Sequence, residues 1–285
     1  MVAADAFLQT ILDHPEADAP RLVYADWLEE HGDPLAELVR VQCQVARLFE
    51  SDPRREPLLE RQEKLLEHFE DMWYGPLQEL GLAGRFDRGL LEVTVTGART
   101  LLDAAERLFK LPWVLHVHLR DGALDRNTLR ALAQSPVLKR IRNLDLERSH
   151  IANDGIEILC NSPHRGRLTK LRLGHTQISS RAARMLVSTF DFSSLVELSL
   201  RFNGISVGGA YHLSLCPQLN RLQVLDLSNN DIRSMGAVYL AESRFLNQLR
   251  VLDVSGNNIR IGAKRVLLDK YGPRVQMNNN TYYSY

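Results

Sequence analysis

A period of 27 residues governs this chain from Ile141 to Leu267. Ile141, Leu168, Leu195, Leu222 and Leu249 stand at that spacing. Leu144, Leu171, Leu198, Leu225 and Leu252 repeat it three residues on, and Leu146, Leu173, Leu200, Leu227 and Val254 two after that. Ile151, Ile178, Ile205, Ile232 and Ile259 form a fourth column, Gly155, Ala182, Gly209, Gly236 and Ala263 a fifth, and Leu159, Leu186, Leu213, Leu240 and Leu267 a sixth. No insertion interrupts these five units. A fixed period of this size marks a solenoid, whose units bury their apolar faces only by stacking on one another.

Inside a unit the pattern changes period. Val224–Ser228 alternates, which predicts a short strand with Leu225 and Leu227 buried. Ile232, Gly236 and Leu240 then fall on one helical face. Asn230 stands where the chain turns away from the strand, and its amide is suited to backbone groups that no ladder reaches. Asn203 and Asn257 hold the same column; Thr176 and Ser149 replace it earlier and do less of that job. The Gly/Ala column predicts a helix that comes close to its neighbour.

The pattern Leu-x-x-Leu-x-Leu-x-x-Asn-x-Ile-x-x-x-Gly-x-x-x-Leu resembles the leucine-rich repeat, in its ribonuclease-inhibitor-like subclass. The resemblance implies an α/β fold: a curved parallel sheet with convex helices over residues 81–285. Val114, Val117, Leu119, Leu124, Thr128 and Leu132 continue the columns backwards. Leu91–Val95 reads as a degenerate strand one residue out of phase, and Gly272–Met277 as a closing strand. The array should then hold about seven parallel strands. The tail Met277–Tyr285 is read as covering or fraying from its end.

Residues 1–80 carry helix period and almost no strand signal. Phe7, Leu8, Ile11 and Leu12 share one face, and His14–Pro15 ends that helix. Pro20 suits a first helical turn and Gly32 the position past the end. Asp33–Pro34 opens a third helix and Asp52–Pro53 a fourth, which should run to a break at Gly75–Pro76. The stretch Arg21-Leu-Val-Tyr-Ala-Asp-Trp-Leu-Glu-Glu-His-Gly-Asp-Pro34, with Ala36-Glu-Leu-Val-Arg-Val-Gln42 after it, resembles the bacterial repeat-companion domain found ahead of repeat arrays. That resemblance covers residues 3–48 and implies an acidic, all-α N-terminal cap at 1–80, without an activity to carry over. Asp26, Glu29, Glu30 and Asp33 lie on one helical face; they read as a solvated face, since oxygen-ligand cation sites also need a tight loop and carbonyls.

The net charge of zero hides a division. Residues 1–80 hold 7 Lys+Arg against 18 Asp+Glu, and residues 81–285 hold 28 against 17. Cys43, Cys160 and Cys216 are odd in number and far apart, which excludes a disulfide framework and fits buried thiols in a reducing compartment. With no secretory signal and no long apolar run, a cytoplasmic monomer without a membrane segment is expected.

Residues between the buried leucines face outward on the concave side. One column is His116, Asn143, Lys170, Glu197, Val224 and Val251; the next is His118, Asp145, Arg172, Ser199, Asp226 and Asp253; the third is Arg120, Glu147, Gly174, Arg201, Ser228 and Ser255. Opposite charges sit side by side: Arg120 by Glu147, Asp145 by Arg172, Lys170 by Glu197. These pairs serve solubility, a polar recognition surface, or both. Val224 and Val251, bordered by Asp226 and Asp253, make a small apolar spot and the preferred contact for a partner protein. His116 and His118 with Asp145 fall short of the three or four ligands that zinc needs. No phosphate loop, nucleophile elbow or cysteine–histidine signature occurs, so no catalytic, cofactor or metal residue is assigned. The reading is a non-catalytic protein-interaction scaffold. The alternative is nucleic-acid binding through the basic surface of residues 81–285, against which the mixed charge of the concave columns and the missing aromatic interleaving both count.

Overall fold

A computed structural model describes residues 6–8, 10, 11, 14, 17–111, 114–278 and 280, with Leu115 and His116 described by their backbone. The chain divides into two compact units, residues 1–95 with 103–117 and residues 96–102 with 118–285.

In the first unit, α1 (Ala19–Glu30) carries Pro20 in its first turn, and Gly32 follows its end at φ 69°. Helix α2 (Leu35–Arg47) begins where the Asp33 carboxylate accepts the Leu35 N–H at 2.9 Å. Two further helices follow, α3 (Arg55–His68) and α4 (Glu70–Gln78). The break expected at Gly75–Pro76 falls instead at Phe69, and Pro76 lies inside α4. Aromatic packing explains the shift: Phe69 contacts Trp73 with ring centroids 5.0 Å apart, Trp73 meets Phe86 at 5.5 Å, and Trp73 is buried. Helical turn therefore persists past the proline. It stops at Gly81, φ 65°, beyond which the Leu82 N–H bonds back to Leu77 O at 2.9 Å.

The strands β1 (Ala83–Asp87) and β2 (Leu90–Thr96) pair antiparallel. Leu91, Val93 and Val95 are buried, so the strand expected here exists and is out of phase with the repeat columns. Its expected parallel role is corrected on one edge, because a two-residue turn at Arg88–Gly89 feeds it from β1. Gln42 of α2 clamps that turn: its Nε2 donates to Phe86 O at 3.3 Å and its Oε1 accepts the Gly89 N–H at 2.7 Å. A Cβ at Gly89 would lie 2.2 Å from Val39 Cγ2, so the turn packs on α2 with no side chain between. Asp26, Glu29 and Glu30 on α1 are exposed, as a solvated face should be, and Arg40 binds Asp26 and Glu29 at 2.7 Å each.

The stretch Ala98–Leu108 forms α5 and Val114–Arg120 forms β3. Within the second unit strand and helix then alternate: α6 (Arg126–Gln134), β4 (Ile141–Asp145), α7 (Ala152–Cys160), β5 (Lys170–Arg172), α8 (Ser180–Thr189), β6 (Glu197–Ser199), α9 (Ser206–Ser214), β7 (Val224–Asp226), α10 (Arg233–Glu242), β8 (Val251–Asp253), α11 (Ile261–Tyr271) and β9 (Val275–Gln276). From β4 to β9 each strand is parallel to the next. Leu144, Leu171, Leu198, Leu225 and Leu252 pair in register, so one sequence column becomes one buried row. Each such leucine contributes roughly 1.5–3 kcal/mol by leaving water. The closing strand is present, with Val275 opposite Leu252.

The asparagine column ties successive turns together. Asn257 Nδ2 donates to Leu227 O, Val254 O and Ser255 O, while its Oδ1 accepts the N–H groups of Asn230 and Ile232. Asn230 and Asn203 donate in the same way to the unit before and to their own. Thr176 and Ser149 each donate to a single backbone carbonyl, of Leu173 and Asp121, and the Thr176 hydroxyl also lies 3.4 Å from Asn203 Oδ1. Asn280 ends the ladder, accepting from Asn257 and Ile259 and donating to Val254 O and Met277 O, a function hidden in what reads as a polar tail.

The Gly/Ala column meets the close neighbouring helix expected, with a Cβ at Gly155 3.1 Å from Leu129 Cδ2 and one at Gly236 3.1 Å from Ala210 Cβ, and it has a second, tighter cause. A Cβ at Gly155 would lie 2.5 Å from Ile151 Cβ, and one at Gly209 2.3 Å from Ile205 Cγ2, so the tightest neighbour is the isoleucine of the same unit. These glycines occur where the next residue after that isoleucine is left-handed: Ala152 at φ 50°, Ser206 at 47° and Arg233 at 55°. Where the helix instead starts from an extended cap, Ser179 or Arg260, the column holds Ala182 or Ala263. Cys43, Cys160 and Cys216 are all free and buried, and burial pushes the Cys43 thiol up to about 11. Among the described residues no helix is long and apolar enough to cross a membrane.

Candidate interaction surface

Period-2 alternation places the residues between the leucines on the outward face of the second unit's sheet. One row across it reads Asn143, Lys170, Glu197, Val224 and Val251; the next reads Asp145, Arg172, Ser199, Asp226, Asp253 and Gln276. All are half-buried except Ser199, which is buried, and Gln276, which is exposed. His118 lies half-buried in β3 and Arg120 is exposed, whereas the side chain of His116 lies outside the described residues.

The rows carry two kinds of electrostatics. Around β5 and β6 the charges are neutralised. Arg172 Nε donates to Glu197 Oε1 at 2.6 Å, Arg172 Nη1 stands 3.7 Å from Asp145 Oδ2, and Lys170 Nζ 3.7 Å from Glu197 Oε2. Glu147 is not the partner of Arg120, as adjacency suggested. Arg201, two units along, takes both of its oxygens, through Nη2 at 2.7 Å and Nε at 3.1 Å. The reason is Gly174, which lies between them in the column: a Cβ there would come within 2.8 Å of Arg201 Cγ and 2.9 Å of Glu147 Oε1. A long guanidinium therefore crosses one strand and satisfies a carboxylate bidentately. The hydrogen bond to Glu197 raises the pKa of Arg172 above its ordinary value, and that to Glu147 does the same for Arg201.

Around β7 and β8 the charges are not neutralised. Asp226 faces Asp253 in register, and Val224 faces Val251. Asp226 Oδ1 accepts the Ser228 N–H at 3.0 Å and its hydroxyl at 2.7 Å, Asp226 Oδ2 accepts Ser199 Oγ at 3.3 Å, and Asp253 Oδ1 accepts the Ser255 N–H at 2.9 Å. Neither aspartate forms an ion pair among the described residues; Arg201 acts on Asp226 only at longer range, its guanidinium being bound to Glu147.

A feature that residue pattern alone does not announce lies at the rim. His175 and Phe202 stack with centroids 4.2 Å apart and an interplanar angle of 13°, both on left-handed turn residues, with Phe202 45% exposed. The visible signal was only that the two residues share a 27-residue column. Among the described residues no three His, Cys, Asp or Glu side chains gather as a metal-holding group.

With this geometry in place, one comparison with known families bears on the chain. Residues 219–241 match the family model described as Leucine Rich repeat. The matched stretch contains β7, the Asn230 turn and nearly all of α10, one full strand–turn–helix unit. Together with the parallel-strand sheet, the match fits a leucine-rich repeat protein. That repeat is commonly a protein-interaction module, and the family is generally non-enzymatic. No curated protein matches the chain.

Proposed function

We propose that this chain is a non-catalytic protein-interaction scaffold, which binds a partner protein on the outward, concave face of its repeat sheet. The observation that carries this reading is the in-register presentation of polar and apolar side chains across β4–β8, from Asn143 to Asp253, on a backbone held by the asparagine ladder. Such a surface associates with little rearrangement, because each turn is pinned to the next. Its half-buried pairs and valines offer complementarity. On this reading the array is of the ribonuclease-inhibitor-like type, and residues 1–80 are an acidic, repeat-companion-type module.

Capture from a native lysate, with and without nuclease, tests the reading. A partner that survives nuclease and is lost by a folded Val224→Arg/Asp253→Arg variant supports it. Retention of the same partner by that variant, or loss of every partner on nuclease treatment, contradicts it; the second outcome favours nucleic-acid binding by the basic excess of residues 81–285.

A further inference from the structure

The outward face is asymmetric in a way that specifies its partner. Every acid presented around β5 and β6 has a basic partner: Asp145 and Glu197 share Arg172, Glu197 also meets Lys170, and Glu147 holds Arg201. One strand further the pattern stops. Asp226 and Asp253 stand in register on adjacent parallel strands, which lie about 4.8 Å apart. Like charges placed side by side on a sheet destabilise it. One oxygen of each is occupied by a backbone N–H two residues on, which aims the carboxylates; among the described residues Asp253 Oδ2 has no hydrogen-bond donor. Beside them, Val224 and Val251 form a half-buried apolar pair.

We propose that the β7–β8 part of the face binds an extended, basic segment of a partner protein, with one Lys or Arg side chain between Asp226 and Asp253. The assignment rests on the reading of the outward face as a protein-binding surface. Charge complementarity selects the occupant, since a cation between the two carboxylates relieves their repulsion and completes the alternation of charge that β4–β6 already shows. Spacing selects its form. Val224 and Asp226 are two residues apart on one strand, and an extended segment laid along the strands presents every second side chain at the same interval, about 6.6 Å. The partner segment therefore carries an apolar residue two positions from its Lys or Arg, the apolar one resting on Val224 and Val251. Long basic side chains suit this arrangement, because their methylene stems lie on the valines while the head reaches the acids.

The test is selection of a random dodecapeptide phage library on the full chain, followed by titration of the selected synthetic peptides. The expected peptides share a Lys or Arg two positions from a Leu, Ile, Val or Phe. Their affinity falls at least about tenfold in a D226N/D253N variant and falls again as salt rises from about 50 to about 300 mM. Asparagine keeps the oxygen that accepts the Ser228 and Ser255 N–H groups, so this variant removes charge and leaves the turns intact; its thermal unfolding, unchanged or raised, confirms that. An empty selection, a set of acidic or neutral peptides, or basic peptides that bind D226N/D253N undiminished overturns the proposal. A R172A/R201A variant separates the two levels. Loss of binding there alone keeps the face and rejects the basic-segment assignment. Binding unaffected in either variant rejects the face itself.

Discussion

Arg201 reaches back over 54 residues of sequence to Glu147, bonding both carboxylate oxygens across the bare backbone of Gly174. The pair spans three neighbouring units, so it ties the outward face together over a longer range than strand-to-strand neighbours do. Both side chains remain partly exposed, at 38% and 20%, which limits the energy. A double-mutant cycle on Arg201→Ala and Glu147→Ala in urea should give a coupling of about 0.5–1 kcal/mol. In a Gly174→Ala background the coupling should fall towards zero. A coupling that survives the added methyl would show that the glycine is not what admits the arginine.

The asparagine ladder makes a graded prediction. Asn230 is buried and makes three donor bonds and one described acceptor bond through its side chain, whereas Thr176 in the same column has one hydroxyl proton, given to Leu173 O at 2.6 Å with Asn203 Oδ1 at a longer 3.4 Å. Asn230→Ala should cost about 3 kcal/mol or more, because several buried backbone groups lose their partner, and Thr176→Ala about 1 kcal/mol. Asn230→Asp should be at least as damaging as the alanine, since a carboxylate keeps the acceptor and removes every donor. Chemical denaturation of the three variants checks the order; equal losses at the two sites would contradict it.

The Gly/Ala column predicts opposite signs at two residues three apart. Gly155→Ala forces a methyl to within 2.5 Å of Ile151 Cβ and should cost about 2 kcal/mol by overpacking. Ala152→Gly relieves a left-handed alanine at φ 50° and should be neutral or stabilising by about 0.5–1 kcal/mol, although glycine ordinarily weakens a helix start. Thermal unfolding of both variants reads the signs. A destabilised Ala152→Gly would show that the left-handed start is not strained.

In the first unit, acid stability should depend on Asp18. Burial opposes its ionisation, yet the hydrogen bonds and charges of Arg47 and Arg88 outweigh burial and hold its pKa below the ordinary 3.8. A depressed carboxylate stabilises the fold above its unfolded pKa, and that stability is lost as pH falls through the folded value. Asp18→Asn should therefore cost about 1 kcal/mol at neutral pH, and wild type and variant should converge in strongly acid solution. A difference that persists at the lowest pH would assign the loss to packing.

The repeat was legible because a 27-residue period with leucines in fixed phase admits one arrangement, and the buried row Leu144 to Leu252 follows from it directly. The outward rows followed by alternation, including the Val224–Val251 and Asp145–Arg172 neighbours. Illegible features depended on backbone choices or on reach. Arg201 passes over its adjacent column member because Gly174 has no side chain, although the order Glu147, Gly174, Arg201 was in plain view. Gly75–Pro76 looked like a break, but burial of Trp73 carried the helix through it and left the stop to Gly81. The β1–β2 hairpin leaves little trace in the sequence because Arg88–Gly89 is a weak turn signal, and its anchor, Gln42, lies on a helix far off in the chain.

On the proposed function, the outward face of β4–β8 is where a partner protein binds. The most direct measurement is the affinity of a nuclease-resistant captured partner for the wild-type chain and for Val224→Arg/Asp253→Arg, with circular dichroism showing both folded. The account predicts a loss of at least about tenfold, or about 1.4 kcal/mol. Equal affinity for the two proteins would contradict it.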